Sequence, residues 1–156
     1  MSALVIPGRS HLRRTSYSIT FTGAAGFGLA ADVITAFTTT GEVLIAYLVP
    51  YAVQTLTQNL GTPTLALGVV NSNALFIAAT TATTLATGEF WTEATGGGTA
   101  AAGVGLPAAG TSAPQLKDVV ITSNVILTVG GTNNINGGAL RIDCYYLPLS
   151  SDGLLA

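Results

Sequence analysis

Glu89 and Glu93 flank Phe90-Trp91-Thr92, and in an extended strand both carboxylates project from one face. Paired carboxylates do acid–base work in glycoside cleavage, where they stand within about 10 Å of each other. Four residues of strand rise set this pair roughly 13 Å apart, too far for either stereochemical route. They read as the solvated ends of an aromatic strand. Trp91 between them reads either as core or as part of an interface, since tryptophan is enriched where subunits meet. Gly23, Gly26 and Gly28 have the look of a phosphate loop, but the spacing is not a Walker motif, no lysine follows, and no βαβ unit surrounds them. Serine and threonine are plentiful, yet a hydrolase triad needs a histidine base held by a carboxylate. The single histidine, His11, lies in a basic N-terminal segment, and no Gly-x-Ser-x-Gly elbow occurs. Cys144, the single cysteine, alternates with Ile142 and Tyr146 and reads as a small core residue. One histidine and one cysteine make neither a disulfide nor a zinc site. We expect no enzyme, no metal and no cofactor.

Charge is scarcer than chemistry. Of 156 residues only 8% are Asp, Glu, Lys or Arg, against about 25% in an ordinary soluble domain. Hydrophobic residues make up 49%, and the mean hydropathy is +0.58. A chain of this size, 15.7 kDa, has a large surface for its volume, which here must be covered with Thr, Ser, Asn, Gly, Ala and apolar groups. Large patches of that kind mark surface buried against other subunits, so obligate homo-oligomeric assembly is expected. Net charge is −2 and pI is near 5.0, which gives no basic field for nucleic acid.

The same hydropathy raises the question of a membrane. The longest strongly apolar stretch, Val43 to Val53, is about half of the ~20 residues a spanning helix requires, and Pro50 interrupts it. Met1 to Pro7 has no basic leader followed by a long apolar run, so no secretory signal is expected. The aromatic residues are too few and too clustered for the girdles of an outer-membrane barrel. No membrane partner is expected. With no Asn-x-Ser/Thr sequon either, the chain reads as one assembled in the cytoplasm.

Stepping along the chain, residues 1–16 stand apart. Arg9, Arg13 and Arg14 are three of its five basic residues, gathered around Pro7-Gly8 and His11. They read as an extended basic arm suited to an acidic partner surface. Residues 17–149 read as one β-sandwich domain and 150–156 as a C-terminal tail. Tyr17, Ile19 and Phe21 alternate with Ser18, Thr20 and Thr22, the period of a half-buried strand. Further strands are expected at Val33–Thr39, Glu42–Thr57, Thr64–Val70, Ala74–Ala78, Glu89–Glu93, Lys117–Ile121, Val125–Val129 and Ala139–Leu147. Glu42–Thr57 is apolar on both faces as far as Pro50, which predicts a central strand bent or bulged there. Asn71-Ser72-Asn73 predicts a turn, and Thr122-Ser123-Asn124 a tight hairpin between its flanking strands. In the last long strand Leu140, Ile142, Cys144 and Tyr146 point one way while Arg141, Asp143 and Tyr145 point the other.

Residues 94–116 form a Gly- and Ala-dominated stretch with Pro107 and Pro114, expected as a long loop. From Ala94 to Gln115 it carries no charge, whereas solvated linkers are usually polar. Val104 and Leu106 within it are candidates for docking on a neighbouring subunit. β-Branched residues and glycines interrupt every helical pattern. The expected class is all-β, a sandwich of jelly-roll-like character with an N-terminal arm and one long loop.

The run Ser18-Ile-Thr-Phe-Thr-Gly-Ala-Ala-Gly-Phe-Gly resembles phrases in small virion proteins of tailed bacteriophages. So do Val33 to Val49, Ala74-Leu-Phe-Ile-Ala-Ala-Thr-Thr-Ala-Thr, Glu89-Phe-Trp and the ending from Tyr146. The resemblance spans most of residues 17–156 and rests on composition-like phrases, with no site motif to carry over. It implies a capsid decoration (cement) subunit on the virion exterior, β-rich and commonly trimeric, clamping neighbouring subunits of the major capsid protein. A tail, neck or head-fibre subunit is the alternative within the same class. A carbohydrate-binding β-sandwich module, resting on Trp91 and the five tyrosines, is the alternative outside it. The partner-binding candidates are thus Arg9, Arg13, Arg14, Trp91, Val104 and Leu106.

Overall fold

The computed structural model describes residues 11–58, 60–93, 100–104 and 116–156. Arg9, Leu106 and most of the expected loop lie outside them. The described chain forms strands β1 (Arg13–Thr20), β2 (Val33–Phe37), β3 (Thr39–Thr40), β4 (Val43–Gln58), β5 (Thr64–Val69), β6 (Ser72–Thr81), β7 (Phe90–Glu93), β8 (Ala100–Val104), β9 (Leu116–Ile121), β10 (Val125–Gly130), β11 (Ile135–Pro148) and β12 (Leu154–Leu155). All pairs are antiparallel. One sheet runs β1-β11-β4-β7-β8, with β9 also on β4; the other runs β2-β10-β5-β6; β3 and β12 pair at one end. The expected β-sandwich is what the chain forms. Its core lies between the sheets, where Leu48, Leu140, Ile142 and Cys144 meet Leu65, Leu67, Leu127 and Val129.

Several local expectations differ. β1 begins at Arg13, so Arg13 to Ser16 of the expected arm are sheet, paired with Tyr146 through Asp143 of β11. The stretch 94–116 is not all loop, because β8 pairs with β7 within it. The tail is built into the body. Thr38 N donates to Ala156 O and Ala156 N to Thr38 O, which places Leu155 in the core at 2% exposure.

Thr122-Ser123-Asn124 does not join a hairpin. β9 and β10 belong to different sheets, and the tripeptide carries the chain across the edge of the sandwich. Ile121 and Val125 on either side both face inward, so the polar residues between them must cross the rim. Their polar groups find partners there. Asn124 Oδ1 accepts from Thr39 N at 3.0 Å, Ser123 O accepts from the Thr39 hydroxyl, and Asn124 O accepts from Val70 N.

The bulge expected at Pro50 is displaced. Register with β11 is regular from Tyr47 through Ala52, and it shifts instead at Ala46 and at Val53. Proline lacks an N–H and belongs where a ladder is open. Ala52 bonds with Glu89 O and Gly88 N on the side away from β11. Pro50, two residues earlier, presents its backbone to that same side. On that side, among the described residues, β9 pairs as far as Tyr47 and β7 pairs at Tyr51, so Pro50 stands where β4 changes neighbours. The bulge at Ala46 keeps both Ile45 and Leu48 turned inward, although they are an odd three positions apart.

Two contacts hold the sheets in place. Trp91 on β7 is fully buried, and its indole Nε1 donates to the Thr80 hydroxyl on β6 at 2.8 Å, tying one sheet to the edge of the other. At the far end of β11, Gly138 sits in an irregular stretch of pairing with φ +98°, where a Cβ would run into Thr55 O and the backbone of Leu56.

Two stability predictions follow from these contacts, each read from the urea midpoint by the fluorescence of the single tryptophan. Gly138→Ala should cost about 2–3 kcal/mol or more, because strain and collision add. Gly26→Ala, at φ +76° with open space around it, should cost only about 1 kcal/mol. Equal losses would show that Gly138 is not walled in. Thr80→Val should cost about 1–3 kcal/mol by stranding the buried indole N–H. An unchanged midpoint would remove the indole bond from the account of sheet docking.

Candidate interaction surfaces

The outer face of the six-stranded sheet is laid out by register. Across β1, β11 and β4 three rows stand side by side: Arg14, Tyr145, Tyr47; then Ser16, Asp143, Val49; then Ser18, Arg141, Tyr51. Period-2 alternation turns all nine outward, because their neighbours Leu48, Leu140, Ile142 and Cys144 fill the core. Phe90, opposite Tyr51 on β7, extends the third row.

Asp143 is the hub of this face. Its Oδ1 accepts from Arg14 Nη2 at 3.0 Å, from Arg141 Nη2 at 3.1 Å and Nε at 3.2 Å, and from the Ser16 hydroxyl. Partial burial pushes the carboxyl pKa up, but the hydrogen bonds from Ser16, Arg14 and Arg141 outweigh it and hold the group below the usual carboxylate range. Both guanidinium groups remain about half exposed, 48% for Arg14 and 43% for Arg141. The aromatic rings brace one another. Tyr47 and Tyr145 meet edge to face at 6.2 Å, Tyr51 and Phe90 lie 5.4 Å apart, and the Arg14 guanidinium sits 5.9 Å from the Tyr145 centroid.

The opposite face of the sandwich differs in kind. Val33, Ile126, Thr128 and Asn73 of the four-stranded sheet, with Val70 and Asn71 of the β5–β6 turn, line an uncharged groove of about 410 Å3. Val33 is 62% exposed there. A smaller depression of about 220 Å3 lies among Leu60, Thr132, Asn133 and Asn134. Apolar, amide and hydroxyl groups line both, a chemistry of contact and hydrogen bonding.

The sequence candidates fall in different places. Arg14 belongs to the Asp143 cluster, and Arg13 is exposed beside it at the start of β1. Trp91 is core. Val104 pairs through its backbone with Phe90. Arg141, Asp143, Tyr145, Tyr47 and Tyr51 were not candidates, although the outward alternation of Arg141, Asp143 and Tyr145 was visible in the sequence. The residues with catalytic potential have structural employment. Glu89 Oε2 accepts from Ala86 N at 2.8 Å. Asp32 Oδ2 takes the N–H groups of Gly26, Gly28 and Leu29, so the glycine loop spends its donors on its own carboxylate. Burial pushes the Cys144 thiol up to about 12, far from a reactive thiolate.

The chain matches no protein-family model and no curated protein. Among solved structures it is similar to a chain of the cyanophage Pam1 capsid asymmetric unit, with a TM-score of 0.54 and 21% sequence identity. The likeness covers 95% of this chain and 95% of that one. What the two share is a fold carried from end to end.

Proposed function

We propose that this protein is a non-catalytic structural subunit of a phage virion, and specifically a decoration subunit that binds the outside of the capsid shell. The observation that carries the reading is the end-to-end likeness of fold to a chain of a phage capsid asymmetric unit. Three features of the chain itself support it. Charged residues are 8% of the sequence, so much of the outside is hydroxyl, amide and apolar. Large apolar side chains are spread over it, including Leu60 at 76% exposure and Val33 at 62%. One face carries arginine and tyrosine, the residue types that concentrate energy where proteins meet.

The mechanism is burial of surface. A subunit seated where capsomers adjoin ties them together and stabilises the assembled shell by mass action, since it binds that state and not the separated one. Association as a trimer matches a local three-fold position. A tail, neck or head-fibre subunit would use the same surface chemistry at another place in the particle. The carbohydrate-binding reading loses its tryptophan, because Trp91 is enclosed.

The test is location and state together. Purified protein should sediment as a trimer at micromolar concentration, and labelled protein should decorate the shell of particles in low-resolution images. A stable monomer would overturn the assembly reading. Label confined to the tail or neck would replace decoration with the alternative subunit role.

A further inference from the structure

We propose that the outer face of the six-stranded sheet, centred on Arg14, Arg141 and Asp143 between Tyr145, Tyr47 and Tyr51, is a docking face for an acidic protein surface. It deepens the structural-subunit reading and rests on it for its setting. The occupant is a partner protein presenting an Asp or Glu carboxylate flanked by apolar atoms.

Charge is the first ground. Within the three rows on β1, β11 and β4, two guanidinium groups face one carboxylate, Asp143, which leaves these rows net positive in a chain of net charge −2. Arg14 and Arg141 both bond to one oxygen, Asp143 Oδ1. A guanidinium has five N–H donors in a fixed plane, so forks held at one corner by Asp143 are set to take an incoming carboxylate at another. Asp143 thereby acts as the positioning group, fixing two long side chains whose rotamer entropy would otherwise be lost on binding.

The second ground is the aromatic surround. Tyr47 and Tyr145 brace each other on one side of Asp143, and Tyr51 with Phe90 does so on the other. Rigid rings beside fixed arginines make the contact pattern that excludes water around a charged pair. The third ground decides against a second copy placed symmetrically. Two-fold pairing of this face with itself would set arginine rows against arginine rows, an unfavourable like-charge contact. The uncharged groove on the other sheet has no such preference for charge.

The test needs no particle, so its failure is separable from failure of the virion reading. Full-length protein is titrated into a fluorescent peptide of alternating Glu and Ala, with the Lys/Ala peptide as control, and anisotropy is followed at low and high salt. The face should bind the acidic peptide only, weaken with salt, and lose roughly tenfold or more in affinity in the Arg14→Gln/Arg141→Gln double variant. The Arg14→Lys/Arg141→Lys variant keeps the charge and controls for folding, and it should fall between the two. Val33→Ser, in the groove of the other sheet, should bind as the parent does. No binding, or binding that the Gln variant retains, overturns the proposal. So does self-association abolished by the Gln variant without peptide binding, or displacement of tyrosine ring resonances by neutral oligosaccharides and not by the acidic peptide.

Discussion

β11 is the strand on which everything else hangs. It is 14 residues long and pairs on both sides, with β1 along eight positions and with β4 along most of its length. A strand in that position must satisfy two environments at once. Its even positions from Leu140 to Tyr146 are buried, and its odd positions from Arg141 to Tyr145 are half exposed. The core and the charged face are therefore two sides of one alternation. Whatever fixes the register of β11 fixes both.

Register here is guarded from several directions. A slip of one residue would turn Arg141 and Asp143 into the core and Leu140 and Ile142 out of it. Burying an ion pair without a prepared polar setting costs several kcal/mol per ion, so the slipped sheet is strongly disfavoured. Irregular pairing around Gly137 and Gly138 absorbs mismatch at the end where β4 also shifts, which leaves the ladder from Tyr47 to Ala52 undisturbed. With so few charges available, the chain uses those it has at positions where they discriminate. Asp32 organises the glycine loop, Glu89 closes the turn before β7, and Asp143 aligns the arginines of two neighbouring strands.

Much of the fold was legible because period-2 alternation is a local signal. β1 and β11 announced themselves through it, as did the class of the fold. What was not legible depended on which strand lies beside which. Thr122-Ser123-Asn124 has the composition of a hairpin turn, but composition does not say whether the flanking strands pair. Pro50 appeared to demand a bulge at its own position, while it stands where β4 passes from β9 to β7 as its neighbour. Those two strands are remote in sequence from β4, so no local pattern reports the change. The site had the same character. Arg14 was singled out for its charge and Trp91 for its type. Arg141, Asp143 and the tyrosines became a cluster only once the register set rows from three strands abreast.

Trp91 shows why residue type alone misplaces function in such a chain. Tryptophan is frequent both in cores and at interfaces, so its type leaves the choice open. The deciding fact is the polar end of the ring. An indole at an interface must find its hydrogen-bond partner on the other molecule, whereas Thr80 supplies one here from the opposite sheet of the same chain. Once the N–H is bonded within the sandwich, the ring is worth most where it is. The tyrosines of the outer face take the complementary course, with their rings partly open to solvent and packed edge-on or tilted against aromatic neighbours beside charged groups. In a protein with 8% charged residues, a surface can be selective only where the few charges are concentrated and held still. The rows centred on Asp143 do both, because β1 and β11 share one carboxylate oxygen.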